Sequence, residues 1–224
     1  MSERFYFRQL LSGRDFATED PVAQQMANFV YAIGDRETGE AILVDPAYDP
    51  VGLIDALAHD DMTCVGAVAS HYHADHIGGS MMGFDLQGVV ALLERIDVPI
   101  HAQAAEIDFI NKVTGLGADA LTVHHGASTL TVGGICVDVI HTPGHTPGSQ
   151  CLLVEGHLVT GDTLFLHGCG RTDLPGGDAD ALYHSLHHEL SSVGHDVTVC
   201  PGHHYSPAPT ASMGVVRDQN PVFR

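Results

Sequence analysis

The chain has 224 residues, of which 44% are hydrophobic, and a formal net charge of −19 at pH 7. A chain of this length and composition can bury one sizeable core, so we expect a single domain over residues 1–224. The charge excludes a nucleic-acid backbone as an ordinary partner, because such binding needs clustered lysine and arginine. No window approaches the about 20 apolar residues of a membrane span, so we expect no membrane partner.

Two further features predict a cytoplasmic location. Residues 1–4 lack the apolar segment of a signal peptide. The five cysteines are odd in number and scattered without paired spacing, which is typical of a reducing compartment. The sequence carries no indication of the oligomeric state.

The N-terminal part of the chain is predicted to form strands and one helix. Apolar runs at residues 5–10, 28–33 and 41–44 have strand character. Residues 50–59 are predicted to be a helix, because proline follows a capping aspartate and the apolar residues recur on one face. An apolar run at residues 65–70 then predicts a buried strand.

Four side chains that can bind metals follow this strand within six residues: His71, His73, Asp75 and His76. In an extended chain, residues two apart point the same way at a spacing of roughly 6.5–7 Å, so His71 and His73 can bind one ion together. Once the chain turns, Asp75 and His76 can face a second position beside it. Imidazole suits zinc or iron, and the carboxylate extends the choice to manganese. A solvated, histidine-rich loop is the alternative, but side chains packed this closely would lose solvation without a cation to offset it.

Three later residues are further candidate ligands, because His145, Asp162 and His203 each follow a strand-like apolar run. Loops that a rigid scaffold holds at strand ends are where functional residues concentrate. Taken singly, His145 could be a turn residue, Asp162 a helix cap and His203 a surface histidine. Taken with the first motif, they indicate one metal site.

Helical spacing recurs at residues 86–96, 104–113 and 179–190. The strands fall in two runs with helices between and after them, and this pattern predicts a layered α/β protein. Residues 80–97 include a Met-Met-Gly-Phe sequence that ends at Phe84. Next to a metal site, this segment could line a substrate pocket, or it could be a helix that packs its apolar face on the core.

The order of the motifs resembles that of the metallo-β-lactamase superfamily. The His-x-His-x-Asp-His motif, Gly-His-Thr-Pro-Gly, Gly-Asp-Thr and Pro-Gly-His occur in that family's order, and Val44-Asp45-Pro46 also fits. The resemblance implies the αββα metallo-β-lactamase sandwich of the α/β class, with two packed mixed sheets flanked by helices. It assigns one metal ion to His71, His73 and His145, a second to Asp75, His76 and His203, and Asp162 to both.

Within the superfamily, residues 168–178 resemble the glyoxalase II-like branch and its relatives, the persulfide dioxygenases. Arg171 with its neighbours favours the dioxygenases, as does Ser149, where many glyoxalase II sequences have a histidine. Residues 174–177 and 201–203 favour the hydrolases. Since the chain ends shortly after the last candidate ligand, we expect no C-terminal helical glutathione-binding domain, and no glutathione contact is assigned to a residue.

The resemblance implies a metal-dependent hydrolase of the hydroxyacylglutathione hydrolase type, which cleaves a small-molecule, glutathione-type thioester. Two divalent ions, with zinc preferred over iron or manganese, would lower the pKa of a shared water, and the resulting metal-bridging hydroxide would attack the carbonyl. Asp162 and Asp75 would be the catalytic residues that orient it. A thioester suits this route, because a thiolate leaves without a strong general acid.

The alternative that the resemblance implies is a mononuclear-iron persulfide dioxygenase acting on glutathione persulfide. It would use His71, His145 and Asp162 as a 2-His-1-carboxylate triad with open positions for oxygen and substrate. The candidate substrate residues are Arg171, Phe84 and Tyr205, although Arg171 could equally form a structural salt bridge. The glyoxalase-like segments argue against β-lactam hydrolysis, and the full ligand set argues against a silent binding domain.

Overall fold

The computed structural model describes residues 4–224. The signal-peptide argument, which rests on residues 1–4, therefore lies largely outside the described residues. Among residues 4–224, no helix combines the length and the apolar character that crossing a membrane requires.

The N-terminal half of the described chain forms a six-stranded mixed sheet and a small hairpin. The strands are β1 (Phe5–Leu11), β2 (Phe29–Asp35), β3 (Glu40–Val44), β4 (Thr63–Val68), β5 (Gly79–Met81), β6 (Phe84–Leu86), β7 (Ile100–Gln103) and β8 (Thr122–His124). The sheet has the order β1-β2-β3-β4-β7-β8, and β5 pairs with β6 in the hairpin. Pairing is antiparallel from β1 to β3 and parallel from β3 to β8.

The C-terminal half of the described chain forms a second six-stranded mixed sheet. Its strands are β9 (Ser128–Val132), β10 (Ile135–His141), β11 (Gln150–Val154), β12 (His157–Gly161), β13 (Thr198–Pro201) and β14 (Ala211–Ser212). They lie in the order β14-β13-β12-β11-β10-β9. Only β12 and β13 pair in parallel in this described sheet.

Helices cover the outer faces of the two sheets. They are α1 (Pro21–Met26), α2 (Pro50–His59), α3 (Ala74–Ile77), α4 (Val89–Arg95), α5 (Ile107–Thr114), α6 (Ala179–His184) and α7 (Met213–Gln219). Apolar side chains of α2, α4 and α5 pack on the first sheet, and those of α6 and α7 pack on the second. A third cluster joins the facing sides of the two sheets. This layering is the αββα sandwich that the family resemblance implies.

Strand β2 shows why both faces of the first sheet are covered. Successive side chains of a strand point to opposite faces. Tyr31 and Ile33 accordingly pack in the cluster between the sheets, whereas Val30 and Ala32 pack in the cluster under the helices. Every residue of the strand is buried.

The predicted helix over residues 86–96 is wrong at its start. Leu86 ends β6, and α4 begins only at Val89. The β5–β6 hairpin turns at Met82 and Gly83, whose φ angles of 49° and 86° belong to a tight hairpin turn. A Met-Gly pair lacks the asparagine or aspartate that usually indicates such a turn, so the sequence pattern did not reveal it.

Two other predicted helices are interrupted. The segment 104–113 starts as a 3₁₀ turn at Ala104–Glu106 before α5 begins. The segment 179–190 is α-helical only to His184 and continues as a π-helical turn, Ser185–Glu189. The apolar face predicted for that segment is retained, since Leu182, Leu186 and Leu190 pack together in the outer cluster of the second sheet.

Candidate metal centre

The folded chain brings together all seven residues predicted to bind metal ions. Three of them follow β10, β12 and β13 of the second sheet, and four follow β4 of the first. The loops after these four strands meet at one place, as the short distances among the seven side chains show. The seven residues are His71, His73, Asp75, His76, His145, Asp162 and His203.

The first group of candidate ligands consists of His71, His73 and His145. One ring nitrogen from each lies within 4.8 Å of the others. The Nδ1 atom of His73 is 3.0 Å from the Nε2 atom of His145. His71 is buried, and its Nε2 atom has no hydrogen-bond partner. Because an unpaired buried nitrogen is costly, this arrangement is explained better by a cation than by mutual hydrogen bonding.

The second group consists of Asp75, His76 and His203, all of them buried. The Oδ2 atom of Asp75 lies 3.5 Å from Nε2 of His76 and 3.4 Å from Nε2 of His203. The two histidine nitrogens are 3.3 Å apart. Separations of this size are those expected of ligand atoms around one ion with bonds of about 2 Å.

Asp162 lies between the two groups. Its Oδ1 atom is 3.5 Å from Nε2 of His76, and its Oδ2 atom is 3.4 Å from Nε2 of His203. The same Oδ2 atom is 3.7 Å from Nε2 of His145, which belongs to the first group. A carboxylate that faces both groups can bridge two ions.

In four of the five histidines, the ring nitrogen that faces away from the centre is held by a neighbour. The partners are Ser70 Oγ for His71 at 3.0 Å, Asp45 Oδ2 for His76 at 2.8 Å, the Arg171 carbonyl for His145 at 2.7 Å, and the Met26 carbonyl for His203 at 2.9 Å. Such partners fix the tautomer and the orientation of a metal-binding ring. The imidazoles are therefore preorganised around the centre.

The two groups differ in electrostatics. Burial lowers the pKa of His71 well below its usual value, and burial with the nearby His145 lowers that of His73 to about 4. Burial also disfavours the charged form of His76, but Asp75 and Asp162 outweigh it and raise that pKa to about 9. An ion at the first group therefore meets neutral imidazoles, whereas an ion at the second must displace protons.

The residues present fit a pair of divalent ions. The buried Nε2 atom of His71 and Oδ1 atom of Asp162 are both without hydrogen-bond partners and face the centre. The first group offers three imidazoles and one oxygen of Asp162, and the second offers two imidazoles and two carboxylates. Nitrogen and oxygen sets of this kind suit zinc, iron or manganese.

A cavity of about 770 Å³ opens over the centre and is lined by five of the candidate ligands. The rest of its lining is mostly apolar. The apolar side chains include Met81, Met82, Val113, Phe165 and Leu174. A substrate bound there would contact the metal-binding residues at one end and apolar surface around it.

The three candidate substrate residues occupy different places. Arg171 and Tyr205 both line the cavity. The guanidinium of Arg171 is paired with the carboxylate of Asp173 through contacts of 2.6 and 2.7 Å, and both side chains are exposed. The ring of Tyr205 stacks on His203, with centroids 4.5 Å apart. Phe84 is 53% exposed on β6 and is not among the residues that line the cavity, whereas Met81 and Met82 of the same hairpin are.

Sequence reasoning missed two buried residues of the centre. In the sequence Asp45 marks only the end of a strand, yet its carboxylate contacts both Ser70 and His76. Asn28 was placed in a strand, yet its side-chain amide lies among the ligands of the second group. The end of an apolar run is a signal for Asp45, whereas Asn28 stands at the start of its run and carries no such signal.

Known proteins resemble the chain over most of its length. The sequence profile of the metallo-beta-lactamase superfamily matches residues 25–203. The probable polyketide biosynthesis zinc-dependent hydrolase BaeB of Bacillus velezensis is 31% identical over 90% of this chain and 84% of its own. The persulfide dioxygenase ETHE1 of Homo sapiens is 32% identical over 86% of this chain and 70% of its own. The hydroxyacylglutathione hydrolase of Halorhodospira halophila is 33% identical over 84% of this chain and 65% of its own.

Solved structures resemble the fold as well. ETHE1 from Myxococcus xanthus superposes with a TM-score of 0.77 at 28% identity, over 96% of this chain and 83% of its own. The protein TTHA1623, solved in a di-iron-bound form, superposes with a TM-score of 0.67 at 27% identity, over 88% of this chain and 95% of its own.

Proposed function

The chain belongs to the metallo-beta-lactamase superfamily, and from that membership we propose that it is a metal-dependent hydrolase that cleaves a small-molecule thioester. The observation that carries the proposal is the second group of ligands. Asp75, His76 and His203 place three donor atoms 3.3–3.5 Å from one another, with Asp162 adjacent. A mononuclear iron centre made of His71, His145 and Asp162 would leave the second group without an ion.

When bound, a pair of divalent ions supplies an activated water for attack and polarises the carbonyl that is attacked. The protein's own part is to hold both ions in place and to position the substrate. Asp162 faces both groups, and the held imidazoles keep the ligand atoms in a fixed geometry. Because a thiolate leaves without first being protonated, we assign no residue as a general acid.

The cavity supports a thioester with an apolar acyl group. Its lining offers methionine, valine, leucine and phenylalanine side chains. Arg171 is the one lysine or arginine among the lining residues, and its charge is already paired with Asp173. A glutathione-derived thioester, which the family resemblance implies, has two carboxylates and one ammonium group, and it would bring a net negative charge into a chain with a net charge of −19. We therefore expect an apolar acyl thioester of a small neutral thiol to be cleaved with a higher kcat/KM than a hydroxyacylglutathione thioester.

Persulfide oxidation is the second candidate, and two observations favour it. The residues of a single-iron triad, His71, His145 and Asp162, are all in place, and a persulfide dioxygenase is 32% identical to the chain. In a dioxygenase of this kind, the second group would lie around the iron site and would bind no ion.

Asp75→Ala tests the proposal, because Asp75 belongs to the second group alone. In a hydrolase the change costs one ion per chain and slows thioester cleavage by on the order of 10²-fold or more. In a dioxygenase it leaves one iron per chain and much of the oxygen uptake on glutathione persulfide. Metal content, thioester cleavage and oxygen uptake are measured on one preparation of each protein. Oxygen uptake that survives the change, with no thioester cleavage by the parent, would reject the hydrolase.

A further inference from the structure

The side-chain amide of Asn28 lies where a fourth ligand of the second metal position belongs. Its Nδ2 atom is 3.1 Å from Oδ2 of Asp75 and 3.3 Å from Nε2 of His76. It is also 3.5 Å from Nε2 of His203. Asn28 is 2% exposed, so no solvent competes for this amide.

These four atoms form a nearly regular tetrahedron. The three distances from Asn28 run from 3.1 to 3.5 Å, and the three among Asp75, His76 and His203 run from 3.3 to 3.5 Å. A regular tetrahedron with edges of about 3.35 Å has its centre about 2.05 Å from every vertex, which matches zinc–nitrogen and zinc–oxygen bonds. The amide occupies a vertex and leaves the centre free, so it does not block the position of an ion.

The backbone explains why Asn28 reaches this place. It forms a bridge with His203 at the start of β2. Next to it, the Phe29 amide donates to the Gly202 carbonyl at 2.8 Å, and the His204 amide donates to the Ala27 carbonyl at 2.9 Å. Two segments far apart in sequence are thereby held together, and the asparagine is fixed against the second group.

The amide can present its oxygen to an ion without losing its other contact. The hydroxyl of Tyr48 donates to Oδ1 of Asn28 at 2.8 Å on the side away from the ligands. A half-turn of the amide exchanges its two terminal atoms, after which Nδ2 would donate to the same hydroxyl, since a phenol both donates and accepts. The buried amide stays hydrogen-bonded in either orientation.

We propose that Asn28 is a ligand of the second metal position and binds the ion through its side-chain oxygen. This inference rests on the proposed two-ion hydrolase. It makes the second position richer in oxygen than the first, because Asp75 and Asn28 join two imidazoles there and Asp162 lies beside them. Oxygen ligands favour harder divalent ions, so the second position would accept manganese more readily than the first.

Cobalt(II) titration of the metal-free protein, followed by visible absorption and by competition with a chelator, tests the proposal. The parent should bind two ions. Asn28→Ala should keep the ion at His71, His73 and His145, bind the second at least 10-fold more weakly, and show altered visible bands for that ion because it has lost a ligand. Asn28→Asp supplies an oxygen in the same place and should bind the second ion at least as tightly as the parent.

Ser12→Ala is the matched control. Its hydroxyl accepts from the backbone amide of Asn28 at 3.0 Å and contacts the side chain of none of the ligands, so both cobalt ions should bind as in the parent. Tyr48→Phe leaves Asn28 in place but removes the partner of the turned amide, and the second ion should bind several-fold more weakly.

Three results separate the possible failures. If Asn28→Ala binds both ions with the affinities and bands of the parent, Asn28 is not a ligand. If its second ion binds more weakly with unchanged bands, Asn28 only positions Asp75, and the inference is again wrong while the hydrolase stands. If the parent binds only one ion, the proposed two-ion hydrolase is wrong, and the inference about Asn28 is wrong with it. If Asn28→Ala does not fold, the other two variants decide. The inference is wrong if Tyr48→Phe binds the second ion as the parent does and Asn28→Asp binds it more weakly.

Discussion

The Nδ1 atom of His76 lies 2.8 Å from the Oδ2 atom of Asp45, so the end of β3 holds a ligand of the second metal position in its orientation. Asp45 also accepts from the amide and the hydroxyl of Ser70, at 2.7 and 2.6 Å. Its φ of 58° places it in the left-handed region, which aspartate and asparagine tolerate better than most residues. One carboxylate thus joins the loop after β3 to the ligand loop after β4.

Asp45→Ala should weaken binding of the second ion about 10- to 100-fold, because His76 loses the partner that fixes its ring. The ion at His71, His73 and His145 should bind as before. The measurement is zinc affinity by competition with a chromogenic chelator. Asp49→Ala is the control, since this aspartate caps α2 through the Gly52 amide and does not touch the ligands. Equal second-ion affinities for Asp45→Ala and the parent would contradict this role.

The metal ligands were predictable from the sequence because each follows a strand. Histidine or aspartate shortly after an apolar run indicates a candidate ligand at a strand end. Four runs of this kind, before His71, His145, Asp162 and His203, predict one metal centre. Asn28 gave no such signal, because its contact with His203 spans 175 residues and depends on how β2 meets the loop after β13. A contact between residues so far apart in the chain produces no periodic pattern in the sequence, so it cannot be predicted from the sequence.

The substrate pocket was less predictable for a related reason. The sequence placed Met81, Met82 and Phe84 near the centre, but which of them faces it depends on the register of the β5–β6 hairpin. The Met-Gly turn sets a register in which Met81 pairs with Phe84. In the folded chain Met81 and Met82 line the cavity, whereas Phe84 does not.

Asp162→Ala should remove a ligand from both ions and abolish turnover, while the fold remains. The residue follows β12 at the edge of the sandwich, outside the three apolar clusters that hold the sheets and helices together. Elemental analysis, circular dichroism and thioester cleavage check the three parts of the expectation. Asp138→Ala changes an exposed aspartate on β10 and should alter none of them. Near-parental activity and metal content in Asp162→Ala would mean that the centre is assigned wrongly.

Met81→Ala should raise KM for an apolar thioester by several-fold, because Met81 lines the cavity. Phe84→Ala should leave kcat and KM near the parental values, since that ring is exposed on the same hairpin. The two variants are compared by steady-state kinetics with one substrate, and their melting temperatures show whether the hairpin has remained folded. A larger change in KM for Phe84→Ala than for Met81→Ala would show that Phe84, and not Met81, contacts the substrate.

Glu106 should make the stability of the protein depend on pH. Its carboxylate is 1% exposed beneath the turn that carries His145, where Oε1 accepts from the Gly148 amide at 2.6 Å. Burial raises its pKa from 4.5 to about 6, although hydrogen bonds from Gly148, Thr146 and the Tyr72 backbone oppose the shift. The folded state therefore holds the proton more tightly than the unfolded state. The resulting stability is fully present below pH 4.5 and is lost as the pH rises through about 6.

Glu106→Gln removes this titration and keeps an oxygen for the Gly148 amide. The free energy of unfolding of Glu106→Gln, relative to the parent, should therefore rise by about 2 kcal/mol between pH 4.5 and 7.5 and then level off. Urea unfolding of chelator-treated proteins across this range measures the difference, in which titrations common to both proteins cancel. Glu155→Gln, at an exposed turn, controls for the loss of one negative charge. A difference between Glu106→Gln and the parent that stays constant with pH would show that Glu106 ionises as easily in the folded state as in the unfolded state.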